Sequence, residues 1–297
     1  MDHPAAHGGS PTQRRIVLLE GVGVAADGSA ATLEVVIDEP CAGPEGGAVD
    51  PLAVDPLTEP WVLLPSSLRD ATDLGELATH LAAAGFRVLR PTPRGMGRST
   101  GSLEGLTLHL LAADIAATIR ALGQGRPAVL LGHAAGHFVA RVVDLDYPAL
   151  VRGIVVAAAA ARVFPPEVAN AVDLVADPRR PRAERLLHLR RAFLAAGSDP
   201  RPWLEGWHPA LGPAYRAAAR VPDKSRWWPV SHAPILDLQA ADDPWRPPAT
   251  RLELKEALGE LVTVRVIDGA SHALPYERPD VVAREVIAWR RRLDAGG

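Results

Sequence analysis

Short apolar runs alternate with amphipathic stretches along most of the chain. Runs rich in Val, Ile and Leu occupy 61–65, 86–89, 127–131, 151–160, 233–240 and 262–267. Apolar side chains recur every three or four residues at 71–84, 103–122, 251–258 and 279–293. Continuous apolar runs are typical of parallel strands covered on both faces, and the three-to-four spacing is typical of helices. The pattern predicts an α/β fold with a mostly parallel wound sheet and helices on both faces.

Three regions at the start of the chain depart from this alternation. Residues 15–24 and 31–37 alternate or run apolar around Asp27 and Gly28, which predicts an opening antiparallel hairpin. Residues 1–14 show no periodicity and are predicted to form a disordered arm. Residues 41–60 carry Gly, Pro and Asp and are predicted to form an exposed loop. The core is therefore expected at 15–161 and 232–297.

The strand pattern stops between residues 162 and 231. This segment is rich in Arg and Pro, with helical periodicity at 183–196 and 213–221 and no strand signal. We expect it to form a helical cap over the mouth of the sheet, with aromatic side chains lining a pocket. Those side chains are Trp203, Trp207, Trp227 and Trp228, with Trp245 farther along the chain. In the alternative interpretation, the cap tryptophans only join the cap to the body.

Composition narrows the range of partners. The 297 residues are 47% hydrophobic with a formal net charge of −3, and the arginines are scattered, so nucleic acid is a poor candidate. We expect a small, partly apolar substrate, no cofactor, no metal and no membrane, with a homodimer left open. The single Cys41 excludes an intramolecular disulfide. With no secretion signal or long apolar span in the sequence, a soluble cytoplasmic protein is expected.

One strand leads into a motif that carries the candidate chemistry. Residues 132–136 read Gly-His-Ala-Ala-Gly between an apolar strand and a helix. With serine at the centre, this would be a G-x-S-x-G nucleophile elbow, which holds a serine oxygen above the sheet. Here the centre is Ala134, and a methyl group cannot attack a carbonyl. His133 and His137 flank this position and are interpreted as packing or supporting residues.

The elbow and two later turns together resemble the α/β-hydrolase superfamily over most of residues 61–293. Asp243-Pro244 is similar to that family's acid turn, and Gly269-Ala270-Ser271-His272 to its histidine turn. The resemblance implies the chain order nucleophile, acid, histidine, which here gives Ala134, Asp243 and His272. Asp242 is the second candidate for the acid.

The resemblance also implies an oxyanion hole made by the backbone N–H groups of Ser67 and Ala135. This chain has Pro65-Ser66 where the family has His-Gly. Ser66 and His133 are expected in the substrate pocket. A nucleophile relocated to Ser66, Ser67 or Ser271 is disfavoured, because none of these residues lies on an elbow.

Three interpretations of Ala134 remain open at this point. In the first interpretation, the chain is a Ser-to-Ala form of an ester, lactone or amide hydrolase and is unable to form an acyl-enzyme. Alternatively, alanine is native and the Asp243–His272 pair acts as a general base in elimination, C–C cleavage, isomerisation or cyclisation. In the third interpretation the protein binds a small molecule without converting it.

Overall fold

The computed structural model describes residues 12–25, 27–40 and 59–295. Their centre is an eight-stranded sheet in the order β1-β2-β4-β3-β5-β6-β7-β8. The strands are β1 Thr12–Val22, β2 Ala31–Pro40, β3 Trp61–Leu64, β4 Val88–Pro91, β5 Ala128–His133, β6 Val151–Ala157, β7 Ile235–Ala240 and β8 Val262–Ile267. β1 pairs antiparallel with β2, and β2 antiparallel with β4, whereas every other neighbouring pair is parallel. The predicted fold class and opening hairpin are confirmed.

Ten α-helices occur in these described ranges. They are α1 Gly75–Ala83, α2 Leu108–Leu122, α3 Gly136–Asp146, α4 Ala171–Ala176, α5 Arg182–Ala192, α6 Gly212–Ala218, α7 Lys224–Trp227, α8 Glu253–Leu258, α9 Leu274–Glu277 and α10 Pro279–Ala295. Single 3₁₀ turns lie at Ala71–Leu74, Pro148–Leu150, Arg201–Leu204, Pro209–Leu211, Pro248–Thr250 and Gly259–Leu261. None of the described helices has the length and apolar character needed to cross a membrane.

The core lies in two layers, one on each face of the sheet. Leu130 of β5 packs in the same cluster as α2 and α3 side chains. Its neighbours Val129 and Leu131 pack instead with α1 and α10 side chains. Successive side chains of a strand point to opposite faces, so a strand buried on both sides needs apolar residues at every position. This explains why the parallel strands could be recognised as unbroken apolar runs.

Residues 158–234, between β6 and β7, are all described and contain helices α4 to α7 without a strand. Part of this segment forms a separate cluster, in which Leu189, Phe193 and Trp203 pack against Trp245 and Ala273 of the core. At its far end, the Arg141 guanidinium on α3 donates to the carbonyls of Trp227, Trp228 and Val230. Both sets of contacts fix the helical segment to the sheet body.

Several predicted boundaries differ from the structure. Residues 12–14 of the expected arm belong to β1, because they pair with Asp38, Glu39 and Pro40 of β2. Residues 1–11 of that arm, and 41–58 of the expected loop, lie outside the described residues. The helix expected from 103 begins at Leu108, where the Thr107 hydroxyl caps it by accepting from Leu110 N–H. The sequence prediction missed α4, α7 and α9, which are too short to show a period.

Candidate functional site

The turn after β5 adopts the strained geometry of a nucleophile elbow although its central residue is alanine. Ala134 has φ +45°, in the left-handed region that non-glycine residues avoid, at a cost of about 1–3 kcal/mol. A side chain at Gly136 would lie 2.5 Å from Leu64 O and 2.6 Å from Pro65 O. A side chain at Gly132 would collide with the backbone of His137. The two glycines therefore allow strand, turn and helix to pack this closely.

The loops after β7 and β8 bring Asp243 and His272 together. His272 Nδ1 lies 3.0 Å from Asp243 Oδ2, and both side chains are almost fully buried. The other carboxylate oxygen accepts the Trp245 N–H at 2.9 Å. Because the carboxylate is an acceptor, we assign the imidazole proton to Nδ1, which leaves a lone pair on Nε2. Asp242, the second candidate for the acid, is exposed, and its N–H donates to Ala270 O.

Trp245 supports the face of the His272 ring. The two rings stack with centroids 4.9 Å apart and an interplanar angle of 23°. The indole N–H of Trp245 donates at 2.7 Å to Ala192 O, at the end of α5 in the helical segment. Phe193 packs edge-on against His272 with centroids 5.7 Å apart. The imidazole is thus restricted by its carboxylate and by two aromatic neighbours.

His133, before the elbow apex, fixes the backbone of the histidine loop. Its Nε2 lies 2.7 Å from His272 O, and since a carbonyl only accepts, Nε2 carries the proton. Burial lowers the pKa of His133 from 6.5 to about 3, with a smaller contribution from nearby His272. A neutral imidazole is therefore held between the elbow and the His272 backbone.

We expect the protein to lose stability in acid partly through His133. Between about pH 6.5 and about pH 3, His133 is protonated in the unfolded chain but neutral in the folded chain. The free energy of unfolding therefore falls as the pH falls. Urea unfolding at about pH 7.5 and about pH 5 should show a smaller loss in His133→Asn than in the unsubstituted chain. His109→Asn, at a half-exposed histidine, is the control. An equal acid loss in His133→Asn would contradict the assignment.

A largely apolar cavity of about 270 Å³ opens beside the elbow. Both Ala134 and His272 line it, and in the described chain no group hydrogen-bonds His272 Nε2. Further lining residues include Ser66, Ser67, Ala135, Phe138, Phe164, Tyr215 and Trp245. The sequence predicted Ser66 and Trp245 in this pocket. It gave no signal for Phe138, Phe164 or Tyr215, because their positions depend on how the helical segment packs on α3.

The four cap tryptophans and His133 are not among the residues that line this cavity, which corrects the expectation that they do. Trp203 is buried against Phe193 and Trp207, and Arg69 lies over the rings of Trp203 and Trp207. Trp227 and Trp228 are buried in the core cluster that includes α3. These tryptophan rings therefore pack within the segment and against the body, as in the alternative interpretation.

The expected oxyanion donors lie at the cavity wall. Ser67 and Ala135 both line it, and neither backbone N–H donates to a carbonyl of the described residues. Ala135 is the N-cap of α3, where the helix dipole favours negative charge. Ser271 is engaged elsewhere, since its N–H donates to Glu277 and its hydroxyl to Asp242 O. Within the described ranges, no three His, Cys, Asp or Glu residues are grouped as a metal site.

Comparisons with solved structures show the fold. A thermophilic esterase from Thermogutta terrifontis, solved with malate bound, is 22% identical with a TM-score of 0.70, covering 93% of this chain and 99% of that one. An esterase from Exiguobacterium antarcticum is 18% identical with a TM-score of 0.67, covering 91% and 99%. The enol-lactonase from Burkholderia xenovorans LB400 is 22% identical with a TM-score of 0.64, covering 88% and 97%.

The sequence itself was compared with curated proteins and with protein families. No curated protein matches it significantly. The alpha/beta hydrolase family matches residues 20–285, a range that includes the elbow, the acid turn and the histidine turn. This chain belongs to the alpha/beta hydrolase family.

Proposed function

We propose that this protein is an enzyme in which the Asp243–His272 pair acts as a general base on a small, largely apolar substrate, without a covalent acyl-enzyme. The observation that carries the proposal is the 3.0 Å hydrogen bond that orients His272 in a cavity also lined by Ala134. A methyl group at the elbow leaves no nucleophile between the base and the substrate. The retained strain at Ala134 supports a site that is still in use.

The proposed chemistry is a proton transfer in which each site residue has one task. His272 Nε2 takes a proton from the substrate, and Asp243 stabilises the imidazolium that forms. The backbone N–H groups of Ser67 and Ala135 stabilise negative charge that develops on a substrate oxygen. The esterase and lactonase activities named for the structural relatives support a substrate with an ester-like or lactone-like carbonyl.

The 162–231 segment is proposed as the cap of this site. Phe164, Tyr215 and Arg216 belong to it and line the cavity. The Tyr215 hydroxyl donates at 2.8 Å to Arg94 O, which ties α6 to the loop after β4. A cap of this kind excludes water from the base and from the charges that develop beside it.

We expect the unsubstituted chain to accelerate the base-catalysed ring opening of 5-nitrobenzisoxazole, a general probe for a base in an apolar cavity. His272 Nε2 removes the carbon-bound proton, the C–H electrons form the nitrile, and the N–O bond breaks to give a coloured cyanonitrophenolate. Loss of His272 should slow the reaction by about 100-fold, at the lower end of what a positioned base contributes. The measurement is the initial rate of phenolate release.

His272→Ala is the test variant for this reaction and His109→Ala its matched control. His109 also pairs with a carboxylate, at 2.6 Å from Asp146, but is half exposed and does not line the cavity. Asp243→Asn should give a rate between those of His272→Ala and the unsubstituted chain. Equal rates in the folded His272→Ala protein and the unsubstituted chain, or no rate above buffer in either, would remove the basis for the proposal.

A further inference from the structure

His137 is a second buried histidine in the cavity, and the proposed proton transfer does not use it. It lies one helical turn after Ala134, in the first turn of α3, and only 5% of its surface is exposed. It lines the same cavity as Ala134 and His272. A buried imidazole carries two polar nitrogens, and each of them requires a partner or water.

One of these nitrogens is fully assigned. Nδ1 lies 2.6 Å from Ala134 O. The carbonyl can only accept, so Nδ1 carries the proton and Nε2 has a free lone pair. No group in the described ranges hydrogen-bonds Nε2. The ring therefore presents one acceptor that the protein leaves unused.

The surroundings of His137 keep it neutral. Phe138 packs edge-on with ring centroids 4.6 Å apart, and Trp227 lies at 6.0 Å. Burial, more than the nearby cations Arg141 and Lys224, lowers the pKa of His137 well below 6.5. Among the described residues, no carboxylate hydrogen-bonds this ring, whereas His272 lies 3.0 Å from the carboxylate of Asp243. His137 is therefore suited to accept a hydrogen bond and not a proton.

We propose that His137 Nε2 is a specificity-determining acceptor that selects apolar ligands carrying one neutral hydroxyl or N–H donor. An acceptor in an apolar wall that finds no donor costs binding free energy, whereas a ligand that supplies the donor recovers it. This inference rests on the proposed function for its choice of cavity. It adds the substrate class, which is an aromatic or aliphatic body with a single hydrogen-bond donor.

Indole and benzofuran test the proposal, because they have nearly the same shape and differ by an N–H donor against a ring oxygen. Isothermal titration calorimetry should show indole binding about fivefold more tightly, as expected for one net hydrogen bond. In His137→Phe, which keeps an aromatic ring and removes the acceptor, the two affinities should agree within about twofold. His80→Phe, at an exposed histidine on α1, should retain the preference.

Two further measurements separate the inference from other outcomes. In ¹⁵N-histidine-labelled unsubstituted protein, indole should shift the Nε2 resonance of His137, and benzofuran should leave it in place. This readout does not depend on whether His137→Phe folds. His272→Ala should retain the preference for indole. Equal affinities in the unsubstituted chain, a preference that survives His137→Phe, a preference lost in His272→Ala, or an unmoved Nε2 resonance would each overturn the inference.

The two proposals can fail separately. Ligand preference is an equilibrium measurement that requires no turnover. A protein that prefers indole and does not open 5-nitrobenzisoxazole would retain the acceptor role of His137 and lose the proposed reaction. The opposite result would retain the reaction and lose the specificity residue.

Discussion

Ala134→Ser is expected to convert this protein into one that is labelled by a fluorophosphonate probe and hydrolyses short p-nitrophenyl esters. The substitution adds a hydroxyl to the Cβ atom of a residue held at φ +45°, in a cavity also lined by His272. In the labelling reaction, the serine oxygen forms a bond to phosphorus, fluoride leaves, and His272 takes the hydroxyl proton. We expect p-nitrophenol release to be about 100-fold faster than in the unsubstituted chain, near the lower limit for a positioned base.

The matched control for this gain is a serine placed one residue away. Ala135→Ser adds the same hydroxyl at the N-cap of α3, off the apex of the elbow, and should remain unlabelled. Ala134→Ser combined with His272→Ala should also lose labelling, because the hydroxyl then has no base. Absence of labelling in a folded Ala134→Ser protein would count against both a hydrolase ancestor and a competent Asp243–His272 pair. Circular dichroism of each variant separates loss of activity from loss of fold.

The second large expected effect is a loss of stability when a buried ion pair beside the cavity is broken. Arg94 is fully buried, and its guanidinium meets Asp114 at 2.6 Å and 2.8 Å through two hydrogen bonds. Asp114→Ala leaves an uncompensated buried cation and should lower the free energy of unfolding by about 3–5 kcal/mol. Urea unfolding followed by tryptophan fluorescence measures the change.

Two further variants serve as controls for Asp114→Ala. Asp177→Ala removes the carboxylate of the exposed Arg179–Asp177 pair, whose closest contact is 2.9 Å, and should have little effect on unfolding. Arg94→Met combined with Asp114→Leu should recover much of the lost stability, because neither partner remains charged. If Asp114→Ala were as mild as Asp177→Ala, the pair would contribute little, and solvent would have to reach Arg94 after the substitution.

Most of the fold and the order of the site could be predicted, because those signals are local. The elbow is recognisable within ten residues, from the apolar run of β5 and the glycines at 132 and 136. Asp243 and His272 each follow an apolar run that predicts a strand. Both faces of the parallel strands are covered, so their apolar character is continuous. The short helices α4, α7 and α9 provide no such signal, since four to six residues do not complete two turns.

The cavity wall could not be predicted, because it depends on how distant segments meet. Trp227 and Trp228 pack in the cluster that includes α3 side chains, and Trp203 packs against Phe193. These contacts join segments that are far apart in the sequence. Phe164 and Tyr215 line the cavity instead, and nothing in their sequence context distinguishes them from surface residues. The sequence predicts His137 as a packing or supporting residue. Only the contact of Nδ1 with Ala134 O shows which of its nitrogens remains available.

Trp245 connects the helical segment to the Asp243–His272 pair. The indole N–H of Trp245 donates to Ala192 O, and the face of the indole stacks on His272. The backbone N–H of Trp245 donates to the carboxylate of Asp243. A displacement of α5 that kept the hydrogen bond to Ala192 O would also move the ring that stacks on His272. The alignment of His272 thus depends on how α5 packs, although no residue of α5 lines the cavity. A substitution in α5 would be expected to disturb the Asp243–His272 pair from a distance.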